Sequence, residues 1–124
     1  METKQVGEKL VELCKQGKNL EAVNTLYHND VVSVEPQGGP EMPAEMKGID
    51  AIRGKNQWWI ENNEVHVGEA KGPYPHGDRF AVAYHYEITP KNGPHKGKRV
   101  TMDEVGLYSV KGGKIVREEF YYSM

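Results

Sequence analysis

The stretch YHNDVVSVEPQGGPEMP, residues 27 to 43, starts as an apolar strand and then interrupts its own pattern. Its three valines favour a buried strand over residues 30 to 35, but Glu35 closes that strand and Pro36 prevents further regular pairing. Residues 36 to 47 contain three Pro and two Gly and are predicted to form a loop. A carboxylate therefore lies at the inner end of a buried strand, where a loop begins.

The segments around this strand have the 3.6-residue period of amphipathic helices. Apolar residues from Val6 to Cys14 predict a first helix over residues 3 to 16. A second helix is predicted to begin at the cap residue Asn19, and a third to cover residues 49 to 62.

Beyond residue 63 the period changes to that of strands. The alternating segments are residues 64 to 71, 79 to 89, 99 to 110 and 114 to 122. Short connections rich in Gly and Pro separate them, so consecutive strands are expected to pair as antiparallel hairpins. Three helices followed by hairpins predict an α+β fold, with the helices packed on one face of a curved antiparallel sheet. The chain, residues 1 to 124, is expected to form a single domain.

Alternation along the strands predicts which side chains face the helices. In the strand over 79 to 89, the inner residues are Phe80, Val82, Tyr84, Tyr86 and Ile88. In the strand over 99 to 110, the residues assigned inward are Thr101, Asp103, Val105 and Leu107, and those assigned outward are Met102, Glu104, Tyr108 and Val110. In the last strand, the residues assigned inward are Val116, Glu118, Phe120 and Tyr122, and Ile115 is assigned outward.

These assignments predict an apolar, aromatic cavity into which the acids Glu35, Asp103 and Glu118 intrude. Such a lining is typical of a small-molecule site. The outer face of the sheet mixes Tyr, Arg, His, Ala and acids, a composition that suits a homodimer interface.

Composition and charge argue against several classes of function. Hydrophobic residues make up 37% of the chain, charged residues 27%, and the net charge is -2, so a folded core is expected and a nucleic-acid partner is not. Cys14 is the single cysteine and is expected to be a buried, inert thiol. No apolar run is long enough to cross a bilayer, and the N-terminal segment lacks the apolar core of a signal peptide, which predicts a cytoplasmic protein without a membrane partner. The histidines have no metal-binding spacing and no Gly-rich phosphate loop is found, so neither a metal nor a cofactor is expected.

Three segments together resemble the SnoaL-like branch of the nuclear-transport-factor-2 superfamily, whose members include polyketide cyclases, ketosteroid isomerases and scytalone dehydratase. They are NLEAVNTLYHNDVVSVEP, GIDAIRGKNQWW and GLYSVKGGKIVREEFYY, and the likeness extends over about residues 3 to 122. The resemblance implies a cystatin-like cone, in which a strongly bent sheet wraps around the helices and encloses a pocket for a small apolar or aromatic molecule. It also implies a homodimer formed through the outer face of the sheet.

The resemblance implies roles for particular residues. Glu35 matches the general base of ketosteroid isomerases, a carboxylate that ends the first strand just before a Pro. A carboxylate in an apolar pocket is poorly solvated and can take up and return a proton near neutral pH. The second acid of the isomerases falls nearer Val105 here, a departure from the family pattern. Asp103, one step along the same face, is therefore the second predicted catalytic residue, with Tyr84 or Tyr86 as further groups that could polarise a carbonyl, although none of them stands at the family's position. The predicted pocket residues are Trp58, Trp59, Tyr84, Tyr86, Val105, Leu107, Glu118, Phe120 and Tyr122.

Departures from the family pattern leave two hypotheses. The isomerases also use a Tyr of the first helix, where Leu10 stands here, which disfavours a steroid isomerase. The first hypothesis is a cofactor-free isomerase, cyclase or dehydratase that acts by proton transfer on an apolar carbonyl compound. The alternative is a non-catalytic ligand-binding or dimerisation module. Each acid also has a structural alternative: Glu35 as a rim carboxylate paired with Arg53 or a Lys, and Asp103 and Glu118 explained by a strand end and an ion pair across the sheet with Arg99 or Arg117.

Overall fold

The computed structural model describes residues 1–38 and 43–123. Within these ranges the helices are α1 (Thr3–Lys15), α2 (Asn19–Leu26) and α3 (Ile49–Asn62). The strands are β1 (Tyr27–Val34), β2 (Glu45–Lys47), β3 (Asn63–His76), β4 (Arg79–Pro90), β5 (Val100–Lys111) and β6 (Lys114–Tyr121). The predicted α+β order, helices followed by hairpins, is confirmed. The short β2 lies inside the segment predicted as a loop, and residues 39 to 42 of that loop lie outside the described ranges.

The described strands form one sheet in the order β2-β1-β6-β5-β4-β3. The hairpins β3–β4, β4–β5 and β5–β6 are antiparallel, as the short connections predict. The pairing of β1 with β6 is parallel, which corrects the expectation of a purely antiparallel sheet. The reason is that a helix and several strands, rather than a hairpin, connect β1 to β6.

The core lies between the helices and one face of this sheet. Helix α1 packs on β3 and β4, and α3 packs on β1 and β3. Gly7 permits the close approach of α1, because a Cβ at this position would lie 2.7 Å from the ring of Pro73. The inner set predicted for β4 is confirmed, since Phe80, Val82, Tyr84 and Ile88 are buried and Tyr86 is half-buried. No helix in the described ranges is long and apolar enough to cross a membrane.

The predicted inner face of β5 is wrong. Val105 is 41% exposed, and it lies with Asp103 and Leu107 on the outer face. The ring of Tyr108 stacks on Phe80 with a centroid distance of 4.9 Å and occupies the space beside Gly106. Burying this large ring decides the orientation of the strand against the smaller gain from Val105 and Leu107. The residues of β5 that face the helices are Met102, Glu104, Gly106, Tyr108 and Val110.

A β-bulge corrects the predicted faces of β6. Val110 pairs with Ile115, but the adjacent Ser109 pairs with Arg117, so Val116 is an extra residue in β6. Ile115 is consequently fully buried, although alternation alone assigns it outward, and Val116 is only half-buried. Beyond the bulge Glu118 is buried and Phe120 packs against the core, as the sequence predicts.

Candidate active site

Glu35 lies directly after β1, with a side chain that is 19% exposed. Because side chains alternate along a strand, Val31, Ser33 and Glu35 share the face that points toward the helices. The hydroxyl of Tyr122 donates to Oε2 of Glu35 at 2.9 Å, and the ammonium of Lys55 forms an ion pair with Oε1. The expected ion-pair partner is therefore a Lys, on α3.

Lys55 connects Glu35 to a second, deeper carboxylate. Its Nζ donates to Oγ of Ser33 at 2.9 Å, and the Ser33 hydroxyl is hydrogen-bonded to Glu118. The hydroxyl of Tyr27 also donates to Glu118. A continuous chain of hydrogen bonds and one ion pair thus runs from Tyr122 at the surface to Tyr27 in the core. We call the following residues the inner polar cluster: Tyr27, Ser33, Glu35, Lys55, Glu104, Glu118 and Tyr122.

Glu118 is the most buried acid of the cluster, with 3% of its surface exposed. Burial raises the pKa of its carboxyl, and the nearby Lys55 ammonium and the donors Tyr27 and Ser33 oppose that effect. Burial also raises the pKa of Tyr27, with the charge of Glu118 adding to it, so this phenol stays neutral and donates. The predicted ion pair of Glu118 with a sheet arginine is wrong, because Arg117 pairs with Glu119 and Arg99 with Glu87.

Glu104 is the third carboxyl of the cluster. Val105 pairs with Tyr121 in the β5–β6 ladder, so the preceding Glu104 lies across from Tyr122 on the inner face. Burial and then the negative charge of Glu35 raise the pKa of Glu104 to about 7, while the Lys55 ammonium acts in the opposite direction. Glu104 is therefore a carboxyl that exchanges its proton near neutral pH.

The charges of the cluster do not balance if every acid is ionised. Within the described residues it contains the carboxyls of Glu35, Glu104 and Glu118 and the single ammonium of Lys55. Like charges at close range cannot all persist in a poorly solvated site, so part of the cluster retains protons, as the raised pKa values of Glu104 and Glu118 indicate. The site can consequently both accept and supply a proton.

Phenols and apolar rings surround the cluster. The hydroxyls of Tyr84 and Tyr108 are hydrogen-bonded at 2.5 Å, and burial raises the pKa of both phenols. Trp59 packs against Tyr86 with a centroid distance of 5.3 Å.

Burial raises the pKa of Cys14 to about 11, which agrees with an inert thiol, although its side chain is only half-buried.

A cleft of about 280 Å³ gives access to Glu35. It is lined by Val34, Glu35, Pro36, Glu119, Phe120, Tyr121 and Tyr122. Phe120 and Tyr122 are the members of the predicted pocket that line this cleft. Its volume lies just below the lower end of roughly 300–1,000 Å³ typical of small-molecule sites, so it suits a small ligand.

The other predicted site residues lie in different places. Asp103 is exposed on the outer face, where it contacts Nδ1 of His85 at 2.6 Å, so the expected convergence of Asp103 with Glu35 is wrong. Val105 and Leu107 share that outer face and cannot line an inner pocket. Tyr84 is buried in the core, Trp59 and Tyr86 are half-buried, and Trp58 is 37% exposed.

Lys55, Ser33, Tyr27 and Glu104 are the cluster residues that the sequence analysis missed. A signal for Lys55 exists, since it stands three residues after the buried Ile52 and four before Trp59, on one helical face. A lysine within an apolar stripe indicates a buried partner of opposite charge. Glu104 is missed only because the face of β5 is inverted.

Comparison with known proteins agrees with this architecture. The family model described as a SnoaL-like domain matches residues 1–122. The chain belongs to the SnoaL-like family. A crystal structure from Mesorhizobium loti, of a protein described as a SnoaL-like polyketide cyclase and, in brackets, as a carbohydrate phosphatase, is 47% identical, with a TM-score of 0.90 over 98% of this chain and 100% of that one. No curated protein matches the chain significantly.

Two more distant structures share the fold of this SnoaL-like chain. A protein of unknown function with a cystatin-like fold from Xanthomonas campestris is 15% identical, with a TM-score of 0.77 over 100% of this chain and 92% of that one. A protein with a ketosteroid isomerase-like fold from Catenulispora acidiphila, solved with trimethylamine, is 20% identical, with a TM-score of 0.71 over 98% of this chain and 88% of that one. The predicted cystatin-like, ketosteroid isomerase-like fold is thereby confirmed.

Proposed function

We propose that this SnoaL-like protein binds a small carbonyl compound in the cleft beside Glu35 and catalyses proton transfer on it without a cofactor. The observation that carries the proposal is the presence of two carboxyls in the inner polar cluster, one of which, Glu35, lines the cleft, while the other, Glu104, lies deeper and feels the charge of Glu35. Glu35 is held by Lys55 and Tyr122, and Glu104 lies across from Tyr122 with a pKa of about 7. Two carboxyls with different environments are a typical arrangement for a base and an acid.

In the first step the Glu35 carboxylate removes a proton from the carbon next to the carbonyl. The electron pair of the broken C–H bond forms a C=C bond, and the carbonyl π electrons move to oxygen, which gives an enolate and a neutral Glu35. In a substrate with a conjugating C=C bond, return of the proton to the far carbon of the dienolate completes an isomerisation. In a substrate with a second carbonyl, attack of the enolate carbon on that carbonyl forms a C–C bond and leaves an alkoxide. Glu104 can supply the proton that the alkoxide takes up, and the neutral Glu35 then passes its proton to Glu104, which restores both carboxyls.

The Mesorhizobium loti relative supports cyclisation as one form of this chemistry, because it is assigned as a polyketide cyclase. The small cleft and its apolar rings, Phe120 and Tyr122, support a small apolar or aromatic substrate. The second carboxyl of the proposed site is Glu104 and not the predicted Asp103, because β5 turns Glu104 toward the helices.

The test is the exchange of carbon-bound protons for deuterium in a panel of small ketones and 1,3-dicarbonyl compounds, followed by proton NMR in heavy water. We expect the wild-type protein to accelerate exchange of at least one compound. Glu35→Gln should lose about 10²–10⁴-fold of the rate, the usual contribution of a positioned general base. Asp103→Asn is the matched control on the outer face and should retain the wild-type rate.

Two results would contradict the proposal. Deuterium exchange at the wild-type rate in Glu35→Gln would show that Glu35 is not the base. If the wild-type protein accelerates exchange of none of the compounds, the non-catalytic binding module is favoured. The second case can be examined by titrating the same compounds against the fluorescence of Trp58 and Trp59, which reports binding without turnover.

We also propose that the outer face of the sheet forms a homodimer contact. Val105 and Tyr121 are paired across β5 and β6, and they are 41% and 55% exposed. Ala83 pairs with Val105, and Ala81 with Leu107, which extends this apolar strip across β4. Val105→Glu is expected to convert a dimer to a monomer in sedimentation velocity, whereas Val65→Glu, an exposed control on β3, should not. A wild-type monomer would contradict this proposal.

A further inference from the structure

Lys55 has an arrangement that a purely structural ion pair does not need. Two of its three N–H groups are used by Glu35 and Ser33, and its Nζ lies 4.8 Å from the centroid of the Phe120 ring. Phe120 lines the cleft, so an atom that enters beside this ring comes close to the ammonium. The side chain of Lys55 is 18% exposed, so the charge is only partly screened by solvent.

The charge of Lys55 has two successive partners in the proposed reaction. In the resting protein the ammonium is compensated by the carboxylate of Glu35. When Glu35 takes a proton from the substrate carbon, its negative charge disappears and an equal charge arises on the substrate oxygen. The ammonium then compensates the enolate with little movement, which is stabilisation that exists only after proton transfer.

Other donors of the cluster are less suited to this task. Tyr122 already donates to Glu35, and Tyr27 donates to the buried Glu118. Burial and the Glu35 charge raise the pKa of Tyr122, so this phenol stays a weak acid and donor. Glu118 is 3% exposed, against 18% for the side chain of Lys55, so it lies farther from an entering ligand.

We propose that Lys55 is a catalytic residue that stabilises the oxyanion of the substrate, and that the substrate is therefore a neutral, enolisable carbonyl compound. This inference rests on the proposed function. A substrate that carries its own carboxylate is disfavoured, because it would add a further negative charge to a cluster that already holds three carboxyls and one ammonium within the described residues.

The test uses pentane-2,4-dione, whose enolate absorbs in the ultraviolet and can be titrated in the presence of protein. Glu35→Gln removes the base and leaves Lys55 for the enolate, and Glu35→Gln/Lys55→Gln removes the ion pair as a unit, so neither partner is left buried alone. We expect Glu35→Gln to bind the enolate at least tenfold more tightly than the double variant. Lys47→Gln in the Glu35→Gln background is the control for an exposed lysine and should bind as Glu35→Gln does.

Equal enolate affinity of Glu35→Gln and the double variant would overturn the role of Lys55. In the wild-type background, Lys55→Met should lower kcat for deuterium exchange at least tenfold with little change in KM, and Lys55→Arg should restore much of the rate. An unchanged kcat in Lys55→Met would also overturn it. The wild-type protein could fail to accelerate deuterium exchange in any ketone while Glu35→Gln still binds the enolate through Lys55. That result would refute the proposed catalysis but support Lys55 as the group that binds the oxyanion.

Discussion

Glu104→Gln is expected to change how the stability of the protein depends on pH. The pKa of Glu104 rises from its ordinary 4.5 to about 7 in the folded protein, chiefly because the carboxyl is buried. Between these two values the folded chain holds a proton that the unfolded chain has released, so wild-type stability falls as pH increases through this window. Gln cannot ionise and resembles the neutral carboxyl in shape, so this loss is absent from the variant.

The size of the effect follows from the same two pKa values. Each pKa unit corresponds to about 1.4 kcal/mol, so the difference between 4.5 and about 7 corresponds to on the order of 3 kcal/mol. The free energy of unfolding of the variant relative to wild type should therefore increase by about this amount between pH 4.5 and pH 8.5. Below pH 4.5 Glu104 is protonated in both the folded and the unfolded protein, and above pH 7 it is ionised in both. The difference in free energy of unfolding between the variant and wild type should therefore level off at either end of the range.

The measurement is urea unfolding followed by tryptophan fluorescence, at pH intervals across this range and at one protein concentration. Asn29→Ser exchanges one neutral side chain for another at an exposed position of β1 and is the control; its stability difference from wild type should be the same at every pH. If the stability difference between Glu104→Gln and wild type is constant within about 0.5 kcal/mol, a size typical of surface substitutions, then Glu104 is well solvated. The acid–base pairing of Glu35 with Glu104 would then have no basis.

Three further predictions test the packing and the two faces of the sheet. Gly106→Ala should lower the free energy of unfolding by about 1–3 kcal/mol, because a Cβ there would lie 2.8 Å from the Tyr108 ring; urea unfolding measures it. Ser33→Ala should cost about 1–3 kcal/mol in the same assay, since Ser33 is fully buried and carries hydrogen bonds inside the cluster. Asp103→Asn should lower the pKa of His85 in an NMR titration, because the hydrogen bond that the His85 ring donates to the Asp103 carboxylate is the main cause that raises it.

Each of these predictions has a clear contrary result. Gly68→Ala is the control for Gly106, since its nearest neighbour would lie 3.5 Å from the added Cβ, and an equal loss at both positions would contradict the packing argument. A Ser33→Ala protein as stable as wild type would mean that the chain from Lys55 to Glu118 contributes nothing. An unchanged His85 pKa would indicate that Asp103 does not contact it in solution.

The sequence predicts the helices, the hairpins and the position of Glu35 because each depends on short-range periodicity. Helical spacing in α1 and α3 and alternation in β4 are regular, and the structure follows them. The Pro after Glu35 marks the end of β1, so the carboxylate at the mouth of the site can be located without coordinates.

The face of β5 could not be predicted in the same way. Both of its faces carry apolar residues, and the choice depends on whether the Tyr108 ring can stack on Phe80 of the neighbouring β4 and fill the space left by Gly106, two residues earlier on the same strand. The orientation of Ile115 depends on a bulge, which shifts the alternation by one residue and has no local signal here. The inverted face of β5 turns Asp103 outward and Glu104 inward. Glu104 therefore becomes the second carboxyl of the candidate site.

The parallel pairing of β1 with β6 has a consequence for the order in which the protein acquires its site. The hydrogen bonds from Tyr27 to Glu118 and from Tyr122 to Glu35 join residues that are 91 and 87 positions apart. Contacts of such high sequence separation form late, because the entropy of closing a long loop opposes them until other structure has formed. During synthesis the helices, the β3–β4 hairpin and the ion pair of Glu35 with Lys55 can form first. Tyr27 and Glu35 gain Glu118 and Tyr122 as partners only after β6 has been made.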